Sequence, residues 1–326
     1  ARQFAGQFPF LFKILDVRQM LSIQAHPAKA KAEAGFRREN ELGIPLDAPN
    51  RVYKDANHKP ELMVALSEFW LLHGFRRPEA IQAELERVEE LRPLSAHFNG
   101  EDLPGLYRYL MEMPQSEVDK LLRPLRARLA PLLDAGALPK SSPDYWAALA
   151  FRDFELPGGH CDRGVFSIYL LNLLQMQPGQ GIFQAAGIPH AYLEGQNVEL
   201  MANSDNVFRG GLTPKYIAVQ ELLDNLVFEP VEPRILAGEP ASAHETAYPT
   251  PAPDFALSRL TLPAMQEFAC PETKGPELLL LIQGAVITGD GERFGQGEVM
   301  YAMPGEGYRL KAESEAVVYR ARVSWG

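Results

Sequence analysis

The chain predicts a mainly β fold with an α-helical insertion, and three features predict it. Short apolar strands bounded by turns fill residues 8–75 and 178–201. Between them, from Pro78 to Phe154, the hydrophobic period becomes that of helices. Residues 257–326 return to strands broken at glycines.

The first strand is FPFLFKILDV, residues 8–17, apolar enough to be buried. In LSIQAH, residues 21–26, Leu21, Ile23 and Ala25 share one face while Ser22, Gln24 and His26 share the other. Pro27 ends that strand with Gln24 and His26 side by side. Residues 28–50 are charged and contain Gly and Pro, which reads as a surface loop with a helical turn. YKDANHKPELMVALSEFWLLHGF, residues 53–75, runs from a polar lead into one or two apolar strands. Ile81, Leu85, Val88 and Leu91 then recur every three or four residues, the mark of an amphipathic helix. Residues 103–112, 116–135 and 143–152 repeat that pattern between Pro and Gly, giving an all-helical block in which Tyr107, Tyr109 and Trp146 are packing residues.

Residues 165–176 are apolar throughout, so periodicity leaves helix and buried strand both open. Pro178 and Gly179 turn into short strands through Met201. Residues 216–226 read as one helix and residues 229–253 as a Pro-rich linker. ELLLLIQGAVIT and GEVMYAMPGEGYRL have the strand spacing of a sandwich or barrel. The second carries the turn pattern of residues 178–190 without any His. Two related β-barrels are therefore expected, one bearing His and one bearing none.

At 326 residues the chain is long enough for two or three domains. Its 46% hydrophobic and 23% charged residues are those of an ordinary soluble globular protein. A net charge of −10 without a basic block argues against a nucleic-acid footprint, and leaves any anionic ligand to a few local Lys and Arg. Cys161 and Cys270 stand far apart in no metal or disulfide pattern, which fits a reducing cytoplasm. No secretory signal opens the chain, and no apolar run approaches the roughly 20 residues of a membrane span. The opening ARQFAGQFPFLFKILDV, without an initiating Met, has the character of the middle of a protein.

The chemistry concentrates in GIPHAYLEGQNVELMANSDNVFRGGLTPKY, residues 187–216, where His190 and Arg209 are costly to bury without partners. Four side chains suit a metal: Gln24, His26, Glu61 and His190. Two His and a carboxylate are the ligand set of a catalytic zinc, whereas composition alone does not nominate Gln24. Taken singly, His26 and His190 read as structural histidines and Glu61 as a strand-end acid. Arg209 could pair with Asp205, and Lys59 and Lys215 could be solvated. His73, His97, His160 and His244 have no partner pattern and receive no role.

QAHP, NHKPE, GIPHAY and SDNVFRGGLTPK occur in that order, with a helical block between the second and third. Together they resemble the type I phosphomannose isomerases, zinc enzymes of the cupin superfamily. The resemblance runs from about Phe8 to Lys215 and continues more weakly to the C terminus. It implies a cupin-type jelly-roll catalytic barrel made of residues 1–77 and 157–228, interrupted by a helical domain at 78–156. A second, C-terminal cupin-like β-barrel domain without metal ligands would follow at 229–326. The family usually carries several dozen further N-terminal residues.

The resemblance also implies interconversion of mannose 6-phosphate and fructose 6-phosphate through a cis-enediolate. One Zn2+ would sit on Gln24, His26, Glu61 and His190. Arg209 is then the essential arginine and Lys59 and Lys215 are active-site lysines, while Ser22, His58 and Asp205 line the pocket. Arg209 suits the enediolate charge because it never becomes neutral, and Lys215 and Ser22 suit the phosphate. The base stays open among His58, Lys59, Asp205 and zinc-bound water, with His58 and Lys59 first. The expected protein is a cytoplasmic monomer whose partner is a small sugar phosphate, with no nucleic acid and no membrane. The rival reading is a non-catalytic cupin regulator that binds sugar phosphates. A cupin oxygenase is disfavoured, because Gln24 fills a position that an iron facial triad leaves open.

Overall fold

The computed structural model describes residues 6–98 and 100–324. The fold is mainly β with helices inserted, as expected. Eight strands join into one sheet system: β1 (Phe10–Val17), β2 (Ile23–Ala25), β3 (Glu61–Ala65), β4 (Phe69–Phe75), β5 (Leu171–Met176), β6 (Gly181–Gln184), β7 (His190–Ala202) and β8 (Phe208–Gly211). β7 is its axis. The first part of β7 pairs with β4 and β2, so that His73 and Gln24 both lie opposite His190. The second part pairs with β1, from Phe10 opposite Ala202 to Val17 opposite Gly195, and with β3, from Glu61 opposite Met201 to Ala65 opposite Asn197. Gly195 makes the change of partners: its φ is 122°, and a Cβ there would lie 2.5 Å from the carbonyl oxygen of Glu68.

Where residues 28–50 were expected to be a surface loop with a helical turn, the helical part is a full 13-residue helix, α1 (Lys29–Glu41). Its buried positions are Ala32, Gly35 and Glu39, which carry no apolar period for a pattern to detect. Glu39 is buried because it accepts the backbone N–H groups of Val52 and Tyr53 and pairs with Arg51 at 2.9 Å. The helical block is present as α2 (Pro78–Arg87), α3 (Ser95–Phe98), α4 (Leu103–Glu112), α5 (Gln115–Asp134) and α6 (Pro143–Asp153). Asp102 caps α4 and Ser142 caps α6. Leu85, Leu91, Leu106, Leu122 and Trp146 share one core with Phe75 of β4. Tyr107 and Trp146 pack as expected, whereas Tyr109 stays partly exposed and stacks on His97.

The apolar run at 165–176 divides into α7 (Val165–Leu170), buried throughout, and β5, buried only at Leu171 and Met176; a segment of six residues on either side of the change is too short for a period to separate helix from strand. The helix expected at 216–226 is the shorter α8 (Val219–Asn225). The Pro-rich stretch is not linker throughout, since Glu239–Pro240 and Glu245–Tyr248 pair onto the C-terminal sheet. From Glu239 to Arg322 the strands form a six-stranded and a four-stranded antiparallel sheet. ELLLLIQ (Glu277–Gln283) explains its own unbroken apolarity. Leu279 and Leu281 face the core between these two sheets, and Leu278 and Leu280 face Phe10, Leu62 and Leu200 of the first sheet system. Within the six-stranded sheet, Arg320 is buried against both oxygens of Glu277, at 2.7 and 2.8 Å, and against Glu245 at 3.1 Å.

Candidate metal centre

His26 follows β2, Glu61 opens β3 and His190 opens β7, so three turns meet at one end of the sheet system. His26 Nε2 lies 3.3 Å from Glu61 Oε1, and His190 Nε2 lies 3.4 Å from Glu61 Oε2. The ligand atoms of His26, Glu61 and His190 all fall within 4.8 Å of one another. Ligands about 2.0–2.1 Å from a tetrahedral ion are separated by about 3.3 Å. His26 Nδ1–H donates to the carbonyl oxygen of Asn206 at 2.8 Å, and His190 Nδ1–H to that of Ile188 at 2.9 Å. Each ring therefore turns an unprotonated Nε2 inward. His26 Nε2, His190 Nε2 and Glu61 Oε2 are buried and make no hydrogen bond. Three convergent acceptors without a donor are a costly arrangement until a cation lies among them. The residues fit a zinc-type ion.

Their protonation suits that role. Burial lowers the His26 pKa, outweighing the neighbouring Glu61 carboxylate, which favours the charged ring. Burial works against ionised Glu61, but His26 and Lys59 beside it hold its carboxyl well below the usual range. Lys59 Nζ is 3.2 Å from Glu61 Oε1.

Gln24 lies opposite His190 on one side and opposite Arg209 of β8 on the other. Directly opposed residues share a sheet face, with Cβ atoms about 4.5–5.5 Å apart. His73, His190, Gln24 and Arg209 thus form a row across β4, β7, β2 and β8. Arg209 is half-buried, and among the described residues its guanidinium has no hydrogen bond or ion pair; burial alone lowers its pKa. The alternative pairing with Asp205 does not form. Asp205 is exposed and donates its backbone N–H to Asp55.

Ser22 is partly buried two residues before Gln24. His58 turns towards the C-terminal sheets, its Nε2 2.8 Å from Asp254 Oδ2. Lys215 is exposed and lines a cleft of about 610 Å³ with Thr213, Asp162 and Arg163. The candidate ligands His26, Glu61 and His190 are thus gathered with Lys59; Gln24 and Arg209 lie in register on the adjoining strands, and His58, Asp205 and Lys215 stand at the margin.

Sequence reasoning passed over several supporting residues. Asn206, in the SDN of the recognised motif, holds His26 through its carbonyl and fastens residues 54–57 through its side chain. His73 Nδ1–H donates to Gln184 Oε1 at 2.6 Å, and burial followed by the proximity of His190 pushes its pKa down to about 4. Deeper in, Glu199 pairs with Lys13 at 2.7 Å; burial and the Glu61 carboxylate raise its pKa. Of these only Asn206 had a signal in the sequence, its place beside Asp205.

Fold and centre together define a protein fitted to hold a divalent metal inside a β scaffold, with an uncompensated arginine two strands away in the same row. The family model for the phosphomannose isomerase type I catalytic domain matches residues 1–78. Mannose-6-phosphate isomerase of Salmonella typhimurium is 39% identical over 317 residues, covering 96% of this chain and 76% of that protein. The Escherichia coli K12 protein of the same name is 41% identical over 258 residues, covering 78% of this chain and 63% of the relative. The crystal structure of the Salmonella typhimurium isomerase bound to substrate (f6p) and zinc matches with a TM-score of 0.81 at 35% identity, over 99% of this chain and 81% of that one. The chain belongs to the type I phosphomannose isomerase family.

Proposed function

We propose that this chain is a zinc-dependent aldose–ketose isomerase interconverting mannose 6-phosphate and fructose 6-phosphate. The observation that carries the reading is Arg209, a half-buried guanidinium without a carboxylate, in the same row as Gln24 and His190. The scaffold is assigned as a cupin-type jelly-roll barrel (1–77 and 157–228) with a helical domain (78–156) and a C-terminal cupin-like β domain (229–326). One zinc is assigned to Gln24, His26, Glu61 and His190. Counting formal ligand charges leaves the centre about +1, and a bound zinc there supplies Lewis-acid polarisation of the substrate carbonyl.

The remaining work belongs to side chains. Moving a proton between C1 and C2 needs a base and a group that tolerates the enediolate charge. Arg209 stays charged at any working pH, and its partial burial weakens solvent screening of the field it exerts. Lys59 is assigned the proton transfer for its place beside the candidate ligands, at 3.2 Å from Glu61, whereas the Nε2 of His58 is engaged by Asp254. Asp205, at the surface, ranks below both. Ser22 and Lys215 are assigned to the phosphate, whose binding energy serves orientation because it is remote from the reacting carbons. The protein is proposed to act as a cytoplasmic monomer; no helix among the described residues is long and apolar enough to cross a membrane.

Zinc-loaded protein should isomerise mannose 6-phosphate in an assay coupled to fructose 6-phosphate, stop on chelation, and recover at one zinc per chain. Product made in heavy water should carry deuterium at the carbon that received the proton. Tight sugar-phosphate binding by the zinc form without turnover would reject the isomerase in favour of a non-catalytic regulator.

A further inference from the structure

The turn that follows Arg209 is held by a buried carboxylate from a distant part of the chain. Asp162 lies between α6 and α7 and is only 4% exposed. Its Oδ1 accepts the backbone N–H groups of Gly164 at 2.7 Å and Leu212 at 2.9 Å, and its Oδ2 accepts that of Thr213 at 3.2 Å. Leu212 has φ of 54°, a left-handed conformation that a leucine adopts only when its surroundings impose it. Those surroundings are tight. A Cβ on Gly211 would lie 2.3 Å from Gly164 Cα, and one on Gly164 would lie 2.6 Å from the Leu212 nitrogen. Two backbones therefore touch without side chains between them, and the Asp162 carboxylate bridges them.

The bridged turn lies three residues after Arg209 and two before Lys215, whose own N–H reaches Thr213 Oγ1 at 3.2 Å. At the other end, the loop carrying Asp162 is tied to α5, where Asp119 accepts the Cys161 N–H at 2.9 Å and His160 Nδ1–H at 2.5 Å. We propose that Asp162 is a positioning residue: it fixes the turn between Arg209 and Lys215 and so sets the span between the reacting carbons and the phosphate. The inference rests on the isomerase reading and deepens it. An amide in its place would keep two of the three bonds but turn its NH2 against one of the N–H groups.

The test compares wild type with Asp162→Asn in kcat, KM, zinc content and inhibition by inorganic phosphate. Asp162→Asn should keep one zinc per chain, lose about tenfold to a hundredfold in kcat/KM, the scale of a misplacement of about 1 Å, and bind phosphate several-fold more weakly. In an Arg209→Lys background the same substitution should cost much less, because the geometry it protects is already spoiled. A kcat/KM within about twofold of wild type, or the full loss repeated on top of Arg209→Lys, overturns the proposal. So does loss of zinc in parallel with activity, which would make Asp162 a general structural residue. If Asp162→Asn does not fold, Asp162→Glu, which keeps the charge but moves the carboxylate by one methylene, is read by the same criteria. If wild type does not isomerise, the isomerase reading falls separately, and phosphate binding alone decides: equal affinity in wild type and variant rejects the role of Asp162.

Discussion

Replacing Arg209 by methionine should remove activity without removing stability. A guanidinium that is half-buried and faces no carboxylate gains no ion-pair energy to offset its lost hydration. Methionine keeps the length and much of the apolar stem that packs beneath the charge. Arg209→Met should therefore be neutral or stabilising by up to about 1 kcal/mol, which for a chain of this size raises Tm by roughly 0–2 °C. Loss of one aimed donor to a developing oxyanion removes about 3–4 kcal/mol of transition-state stabilisation, roughly a 10²- to 10³-fold fall in kcat. Calorimetry and the coupled assay, run on the same zinc-loaded preparation, read both quantities. A Tm lowered by several degrees with kcat down by less than about tenfold would refute the reasoning, since Arg209 would then be serving the fold.

Lys215→Ala should raise KM about tenfold with little change in kcat, and narrow the preference for mannose 6-phosphate over mannose; steady-state kinetics on both sugars would reveal it. The metal-free protein should lose stability on acidification. The folded pKa of His73 is about 4, below the usual value of 6.5, so the unfolded chain binds more protons as pH falls between those values. That term approaches about 3 kcal/mol by pH 4, and His73→Gln should flatten the corresponding part of a Tm–pH profile. Glu277→Gln should weaken the buried pairing with Arg320 and destabilise the C-terminal sheets by about 3–5 kcal/mol, while zinc content measured on folded protein stays unchanged.

The legible parts of the molecule were those with local causes. Alternation in LSIQAH put Gln24 and His26 together before any partner was known, and the three-to-four spacing from Ile81 to Leu91 announced the helical block. The full length of helix α1 escaped because its buried face is Ala, Gly and a glutamate satisfied by residues 51–53, so its charge read as exposure. His73 and Asp162 escaped for another reason. Opposition to His190 is a matter of strand register, and the grip on Leu212 joins residues 50 apart in sequence. Neither leaves a trace in spacing. Arg209 was visible as an arginine between Phe208 and two glycines, but its lack of a counter-charge became evident only from the surrounding side chains.

The double membership of β7 has a bearing on how the protein can come apart. One strand pairs with β2 and β4 near the metal end and with β1 and β3 farther along, where its outward Val198 and Leu200 meet the C-terminal sheets. His190, the candidate ligand that opens this strand, keeps its place through the pairing of β7 with β2 and β4. Amide hydrogens across residues 190–202 should accordingly exchange only through the largest opening the molecule undergoes, as members of one cooperative unit. Fraying belongs to segments held neither by β7 nor by the Asp162 grip on the turn beyond β8.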